Sequence, residues 1–373
     1  MRVAIVAECF LPEINGVTNT VLRVVEHLER SGHQALVIAP GPGPNRYLAT
    51  PVERVPAFAL PMYRSLSVGI PTGRVLNLLE GFSPDVVHLA APTVLGAAGV
   101  RGARLLGVPS VAVYQTDLAG FARRYGFSAA APLLWSWLGW VHRQADLTLA
   151  PSSPAAWELR QHGVTRVACW ARGVDLDRFH PEHRSALLRR RLAPDGEVVV
   201  GYVGRLAREK QLHLLTHLRD IPGARVVVVG DGPARAPLQR LLPDVTFLGF
   251  LTGAALSQAV ASLDVFVHTG IDETFCQSLQ EALASGVPVV APASGGPLDL
   301  VEPGANGWLY PPHKPALLRG AVDAPVSDPA RRQAMAARAR ASVGGRSWEA
   351  IGDQLLDHYR RLTGRSGGTR QAA

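Results

Sequence analysis

The sequence predicts an α/β protein with two doubly wound domains, each a buried parallel sheet covered by helices on both faces. The chain has 373 residues, whereas a single core seldom grows past roughly 250–300 residues. Its hydrophobic content of 47% is enough for two cores. Short runs rich in Val, Ile and Ala alternate with longer helical patterns, and the short runs are almost continuously apolar. Strands that are covered on both faces have this pattern.

Ten apolar runs are predicted as strands, five in each half of the chain. The first half contains RVAIVAE, QALVIAP, DVVHLA, SVAVYQ and LTLAP. The second half contains VVVGYVG, ARVVVVG, VTFLG, DVFVHTG and VPVVAP. A polar segment that includes Pro181 and Pro194 separates the two sets, which predicts one domain in each half.

The predicted domains are residues 1–172 and 173–346, followed by a helix over 347–362 and a flexible tail over 363–373. The apolar positions of that helix recur at helical spacing, so one of its faces has to be buried. We expect this helix to return to the first domain.

Composition limits the partners and the compartment. The formal charge of +8 comes almost entirely from scattered arginines, without the interleaved aromatic residues of RNA-recognition surfaces, which argues against nucleic acid. Phosphate-bearing small molecules or an anionic membrane surface fit the charge better. Three widely spaced cysteines indicate neither a metal site nor a disulfide framework. No apolar run reaches about 18 residues. We expect a cytoplasmic protein, peripheral on the inner face of the plasma membrane.

Several motifs follow directly on predicted strands, where ligands of open α/β sheets bind. Gly16 opens a helix after the first strand, where a backbone N–H can approach a phosphate, although a plain turn explains it equally well. Gly204 and Arg205 follow the VVVGYVG strand, and Lys210 comes five residues after Arg205. These two cations can converge on one pyrophosphate, or they are ordinary surface cations. Gly230 begins the turn after ARVVVV.

The stretch "DETFCQSLQEALASGVPVVAP" places Glu273 and Glu281 around the start of a predicted helix. A helix that begins between Thr274 and Gln277 offers free N–H groups to an anion. By the helical period, Glu281 lies about two turns beyond Glu273 and roughly 80° around the axis, so each acid can meet a different part of one ligand. Complementing the helix dipole would explain Glu273 but not Glu281.

In this order, the glycine after the first strand, "GRLAREK", "GDGP", "RGVDLDRFHP" and the two glutamates resemble the retaining glycosyltransferases of the family 4, group 1 type. The resemblance implies the GT-B architecture, in which two Rossmann-like domains face each other across a deep cleft. The segment "YQTDLAGFARRYG" is similar to bacterial GDP-mannose-dependent α-mannosyltransferases that act on lipid acceptors.

The resemblance also implies roles for individual residues. Arg205 and Lys210 would neutralise the diphosphate of a nucleotide-sugar donor, so that neither a metal nor a cofactor is needed. Glu273 would bind hydroxyls of the transferred sugar, and Glu281 would bind the ribose. Further donor-binding positions are the loop glycines and the start of the helix, namely Gly16, Gly204, Gly230, Phe275, Cys276 and Gln277.

One position departs from the family pattern. Relatives often have a His where this chain has Gln115, and a glutamine can position a group but takes no proton at pH 7. Gln115 is therefore expected to position the sugar. Asp117 becomes a candidate partner for the sugar or for the acceptor hydroxyl, with helix capping as the alternative.

The acceptor side is predicted around a basic, aromatic segment. Arg123, Arg124 and Tyr125 are the expected contacts with the acceptor or the membrane. A nearby apolar stretch carries three tryptophans, which favour a core helix over a membrane-docking helix, namely Trp135, Trp137 and Trp140.

Three alternative functions stay open. One is a UDP-sugar-dependent transferase with a soluble acceptor. Another is an epimerase or phosphorylase on the same architecture. The last is a sugar-nucleotide binder without turnover, which Gln115 would permit.

Overall fold

The computed structural model describes residues 1–60, 63–70, 72–124 and 126–364. They form two compact units. Met1–Arg172 and the chain from Trp348 onward make up the first unit, and Gly173–Ser347 make up the second.

The first unit is built on an eight-stranded sheet with a separate antiparallel hairpin. Its strands are β1 (Arg2–Ala7), β2 (Gln34–Pro40), β3 (Arg46–Tyr47), β4 (Thr50–Val55), β5 (Ala57–Leu60), β6 (Tyr63–Gly69), β7 (Val86–Ala90), β8 (Ser110–Val113), β9 (Leu147–Ala150) and β10 (Val167–Cys169). The order across the sheet is β10-β9-β8-β7-β1-β2-β4-β3. Every pairing in it is parallel except that of β3 with β4, and β5 pairs with β6 as the hairpin.

In the described residues before Gly173 the helices are α1 (Gly16–Arg30), α2 (Arg74–Phe82), α3 (Val94–Leu105), α4 (Leu118–Arg124), α5 (Ala131–Gln144) and α6 (Ser153–Gln161). Helix α1 begins at Gly16 because the Asn15 side chain accepts hydrogen bonds from the N–H groups of Val17 and Thr18, at 3.0 and 2.9 Å.

The second unit contains one six-stranded parallel sheet. Its strands are β11 (Val198–Val203), β12 (Ala224–Val229), β13 (Thr246–Gly249), β14 (Val265–Val267), β15 (Val289–Pro292) and β16 (Gly307–Tyr310). The order across the sheet is β13-β12-β11-β14-β15-β16. In sequence order this is 3-2-1-4-5-6, the arrangement of dinucleotide-binding folds, and the direction of strand succession reverses between β11 and β14.

Helices and short 3₁₀ turns, Arg208–Lys210 and Leu212–Leu218 among the latter, join these strands. The helices are α7 (Ala186–Leu192), α8 (Arg235–Leu241), α9 (Gly253–Ala261), α10 (Gln277–Ala284), α11 (Pro297–Leu300), α12 (Leu317–Ser327) and α13 (Pro329–Val343). Helix α10 begins at Gln277, within the range from Thr274 to Gln277 that the sequence predicts for its start.

The last helix, α14 (Trp348–Leu362), packs into the core of the first unit, as predicted. Its buried residues are Ile351, Leu355, Leu356 and Tyr359. Two polar contacts fix it there. The Trp170 indole donates to the Ile351 carbonyl at 2.9 Å, and the Tyr359 hydroxyl lies 2.7 Å from Nδ1 of His88.

Each of the ten predicted runs is a strand. The sequence did not predict β3, β4, β10 and β16, three of which are edge strands, nor the β5–β6 hairpin. In the described ranges no helix combines the length and the apolar character that crossing a membrane requires.

Candidate active site

The second unit concentrates charged groups at the point where its strand order reverses. Strand β11 ends just before Gly204, and the following turn leads to Lys210. Strand β14 ends just before His268, and the chain continues to Glu273. Ligands of doubly wound sheets bind at this reversal, so a ligand site is expected here.

Lys210 and Glu273 form an ion pair there, between Nζ and Oε1. The Thr269 hydroxyl donates to the Lys210 carbonyl at 2.5 Å, which ties the turn after β11 to the segment after β14. His268 is the third member of the cluster, with Nε2 3.2 Å from the same Oε1 of Glu273. Two basic side chains thus converge on one carboxylate oxygen.

The electrostatics of this cluster favour the charged form of each member. Burial by itself would raise the pKa of Glu273, but Lys210 and His268 hold that pKa well below its usual range. Burial would lower the pKa of Lys210, and the Glu273 carboxylate raises it instead. Burial also opposes protonation of His268, yet the Cys276 sulfur and Glu273 raise its pKa to about 9.

Paired glycines hold the backbone of Glu273 in place. The Gly296 N–H donates to the Glu273 carbonyl at 2.7 Å. A Cβ on Gly295 would lie 2.3 Å from that carbonyl oxygen, and one on Gly296 would lie 2.0 Å from the Phe275 carbonyl oxygen. Side chains at these two positions would push the loop away. The sequence analysis did not identify this support, although the "SGGP" turn after β15 was a visible signal.

The start of α10 follows directly on Glu273. Phe275 and Cys276 are buried, so only their backbone can face a ligand. Cys276 precedes the first helical residue with a φ of 80°, a conformation that is strained for a residue with a side chain. Gln277 uses its side-chain amide to donate to the Gly173 carbonyl at 3.0 Å.

Glu281 lies one turn further along α10 and is half-buried. Burial raises its pKa to about 7, against the lowering influence of Arg178 and Gln277. This carboxyl therefore changes charge near neutral pH, unlike Glu273.

Arg205 stands apart from this cluster. Its side chain is exposed on the turn after β11 and forms no ion pair within the described chain. The Tyr202 hydroxyl donates to its carbonyl at 3.0 Å and fixes the turn. The turn fits closely against Gly230, where a Cβ would lie 1.9 Å from the Gly204 carbonyl oxygen. Gly230 thus has a packing role. Of the two cations predicted on this turn, Lys210 and not Arg205 contacts Glu273.

The first unit gathers another set of predicted residues. A Cβ on Gly16 would lie 2.8 Å from Nη1 of Arg172, so the glycine makes room for that guanidinium. Nη2 of Arg172 donates to Oε1 of Gln115 at 3.3 Å, and Gln115 is buried. Gly16 and Gln115 are thus brought together through Arg172, which the sequence analysis did not identify as a site residue. Its place at the start of the "RGVDLDRFHP" segment was the available signal.

Asp117 acts as a helix cap in the structure. Its Oδ1 accepts a hydrogen bond from the Gly120 N–H at 2.7 Å, at the start of α4. This was the alternative role that the sequence offered, and a contact with sugar or acceptor stays a prediction.

Glu8 is a further acidic residue that the sequence analysis missed. It follows β1 at the reversal of the first sheet, between β1 and β7. Its Oε1 accepts from the N–H groups of Thr93 at 2.6 Å and Gly96 at 2.8 Å. Burial raises the pKa of Glu8 above its usual value despite these donors.

The predicted acceptor segment is only partly described. Tyr125 lies outside the described residues, as do the side chains of Arg123 and Arg124, whose backbone is helical in α4. The expectation of a core helix holds for Trp135 only. Trp137 and Trp140 are exposed by 43% and 41% and stack on each other with ring centroids 5.3 Å apart. They lie on the face of α5 that turns away from the core. No group of three metal-binding side chains occurs within the described ranges.

Both halves of the chain match models of known families. Residues 14–178 match Glycosyltransferase Family 4, and residues 184–342 match Glycosyl transferases group 1. The chain is 51% identical to a GDP-mannose-dependent alpha-mannosyltransferase of Mycobacterium tuberculosis, over 100% of this chain and 99% of that protein. It is 50% identical to the protein with the same description in Mycolicibacterium smegmatis, over 98% of each chain.

The solved structures agree on the fold. The crystal structure of HepE from Anabaena in complex with UDP superposes with a TM-score of 0.78, over 97% of this chain and 100% of that one, at 22% identity. The solved structures that superpose on this chain are GT-B glycosyltransferases, in agreement with the two parallel sheets described above. The chain belongs to the family 4, group 1 glycosyltransferases.

Proposed function

We propose that the protein transfers a mannosyl residue from GDP-mannose to a hydroxyl of a lipid or glycolipid, with retention of configuration and without a metal ion. One observation carries this proposal. A lysine, a histidine and an ionised glutamate meet at the strand-order reversal of the second sheet. The relatives at 51% and 50% identity, which are named for GDP-mannose, support this choice of donor.

Cationic groups of the second unit would bind the donor diphosphate. The Lys210 ammonium has three N–H donors, so it can bond a phosphate oxygen while it stays near Glu273. Arg205 is exposed on the same turn and adds a planar, bidentate donor. The backbone N–H groups of Cys276 and Gln277 at the start of α10 would add two more. Together these groups can offset the charge of the departing diphosphate, which is the role that a metal plays elsewhere.

The two glutamates would bind the rest of the donor. Glu273 is ionised and held by its glycine turn, so it accepts hydrogen bonds from hydroxyls of the transferred sugar. Glu281 would accept from the ribose hydroxyls, from its place one turn beyond Gln277.

Retention would follow from attack on the face that the diphosphate leaves. The bond between the anomeric carbon and the phosphate oxygen breaks, the acceptor oxygen bonds to the same carbon, and the acceptor proton passes to the departing phosphate oxygen. Gln115 takes no proton and would position the sugar, held by Arg172. Asp117 is proposed to contact the sugar or the acceptor hydroxyl in addition to capping α4.

The acceptor is proposed to come from an anionic membrane surface on the cytoplasmic side. Arg123, Arg124 and Tyr125 are the proposed contacts with the acceptor or the membrane. The exposed pair Trp137 and Trp140 supports this, because indole rings favour the boundary between water and lipid.

Calorimetric titration of the purified protein with GDP, UDP and ADP in the presence of EDTA tests the donor. We expect GDP to bind with the highest affinity, followed by mannosyl transfer from GDP-mannose to lipid acceptors presented in anionic vesicles. A preference for UDP would overturn the donor and favour the alternative with a soluble acceptor. If none of the three nucleotides binds, the proposal as a whole is wrong.

A further inference from the structure

His268 is the buried histidine of the site, and the proposed chemistry gives it no role of its own. It directly follows β14, and 2% of its surface is exposed. Its N–H donates to the Val290 carbonyl at 2.8 Å, and its own carbonyl accepts from the Tyr310 hydroxyl at 3.4 Å. Its ring stacks on Tyr202, with centroids 6.2 Å apart and an angle of 19° between the planes. These neighbours fix both the backbone and the ring.

The fixed ring is directed at Glu273. Nε2 of His268 lies 3.2 Å from Oε1 of Glu273, the oxygen that also bonds Lys210. Gly270 lies beside both groups, and a Cβ there would be 3.0 Å from His268 Nε2 and 3.5 Å from Glu273 Oε1. A larger residue there would crowd this contact. The backbone is therefore shaped to leave the histidine and the glutamate adjacent.

We propose that His268 is a positioning residue of the donor site, which holds the Glu273 carboxylate in place while Lys210 bonds the donor diphosphate. The inference rests on the proposed function, because it assumes that a diphosphate approaches Lys210. A diphosphate carries more negative charge than one carboxylate, so it competes with Glu273 for the same ammonium group.

Without a second cation, that competition would weaken the sugar contact. Once the Lys210 ammonium also bonds the diphosphate, it stabilises the Glu273 carboxylate less. Burial then favours the neutral form of Glu273. A neutral carboxyl group donates one hydrogen bond and loses part of its capacity to accept sugar hydroxyls. His268 compensates because its Nε2 lies 3.2 Å from the carboxylate oxygen and, when protonated, attracts it whether or not Lys210 stays.

The surroundings of His268 support a protonated ring at neutral pH. Glu273 and Cys276 face it from the segment after β14, Tyr202 faces it from β11, and Tyr310 contacts its backbone from β16. Burial opposes the charge, but Cys276 and Glu273 raise the pKa to about 9.

The test is the pH dependence of kcat and KM for GDP-mannose, measured for the wild type, His268→Leu and His268→Gln. Loss of the histidine lets the pKa of Glu273 rise, so the acidic limb of the kcat profile should move up by about one pH unit or more. Below that limb, kcat should fall about tenfold per pH unit. Gln keeps an N–H donor without the charge, so its limb should move less than that of Leu. Affinity for GDP, which lacks the sugar, should stay within about twofold of the wild type.

His142→Leu is the matched control, because His142 is equally buried but lies in the first unit, where its Nδ1 is 3.2 Å from the Thr148 hydroxyl. It should lower stability without moving the limb. If both His268 variants turn over at the wild-type rate and the acidic limb of their kcat profiles does not shift, His268 only packs the core. That result would overturn this inference alone. A wild type that does not bind GDP-mannose would overturn the proposed function and this inference together.

Discussion

Two acidic residues, Glu8 and Glu273, follow the strands at which the order of each sheet reverses, and the pKa values of their carboxyl groups are shifted in opposite directions. Glu273 follows β14 in the second unit and bonds Lys210, with His268 beside it. Glu8 follows β1 in the first unit and accepts from the N–H groups of Thr93 and Gly96 at the start of α3, with the Thr93 side chain as a further donor. The pKa of Glu273 is lowered, whereas burial raises that of Glu8.

The comparison shows that the sheet determines where a carboxyl group lies and that the neighbouring side chains determine the direction in which its pKa shifts. Both residues are half-buried, and each follows a strand beside the reversal of its doubly wound sheet. Backbone N–H groups offset part of the cost of burying a carboxylate, but a full positive charge offsets more of it. The second unit supplies that charge, and the same groups are the ones proposed to bind a diphosphate.

Replacing Lys210 with alanine should make Glu273 resemble Glu8. The variant loses the cation that opposes the charge of the leaving group, so kcat should fall by about 10²–10³-fold. Steady-state kinetics with GDP-mannose measures this effect. The matched control is Lys314→Ala, because Lys314 is the only other lysine and is exposed in the same unit. Equal activity in the two variants would contradict the role of Lys210.

The sequence predicted the central strands and failed mainly at the edges. Strands in the middle of each sheet are covered on both faces and are recognisable as continuous apolar runs, such as β1 and β12. Edge strands have fewer buried positions, and β10 and β16 are only three and four residues long. Short runs of this kind do not differ from loops in the sequence.

The sequence indicated single site residues but not their contacts. Lys210 and Glu273 were both assigned to the donor from their positions after strands. Their bond to each other joins residues 63 positions apart, so no local pattern encodes it. In the sequence, Glu8 resembled the end of a buried strand. The N–H groups that donate to its carboxylate belong to residues 85 and 88 positions later, so no local pattern indicated them.

Glu281 offers an intermediate case that sharpens the comparison. Its pKa of about 7 means that the carboxylate is only partly formed at neutral pH. A ribose contact needs the carboxylate as an acceptor, so affinity for GDP should increase with pH. Between pH 6 and 8 the increase should be about tenfold at most, levelling off above the pKa. Calorimetry with wild type and Glu281→Gln measures it, and the Gln variant should bind GDP with no such dependence. A pH dependence that persists in the Gln variant would assign the titration to another group.

Replacing Glu8 with glutamine tests whether its buried carboxyl group destabilises the first unit. The folded pKa is raised, so the folded state holds its proton to higher pH than the unfolded chain does. The stability that Glu8 contributes is therefore present below the unfolded pKa of about 4.3 and is lost as pH rises from there through the folded pKa. Glutamine keeps an oxygen that can accept from Thr93 and Gly96 but avoids the buried charge.

The expected result is a melting temperature about 2–4 °C higher than that of the wild type at pH 8, from roughly 1 kcal/mol of stabilisation. At pH 4.5 the two proteins should differ by about 1 °C or less, because Glu8 is protonated in the folded state there. Differential scanning calorimetry at both pH values measures the effect, with the exposed Glu349→Gln as the control. A variant that is less stable at pH 8 would mean that the α3 N–H groups stabilise the carboxylate more than burial destabilises it. Both sheets would then favour the carboxylate form of their glutamate, and the difference between them would lie in their cations alone.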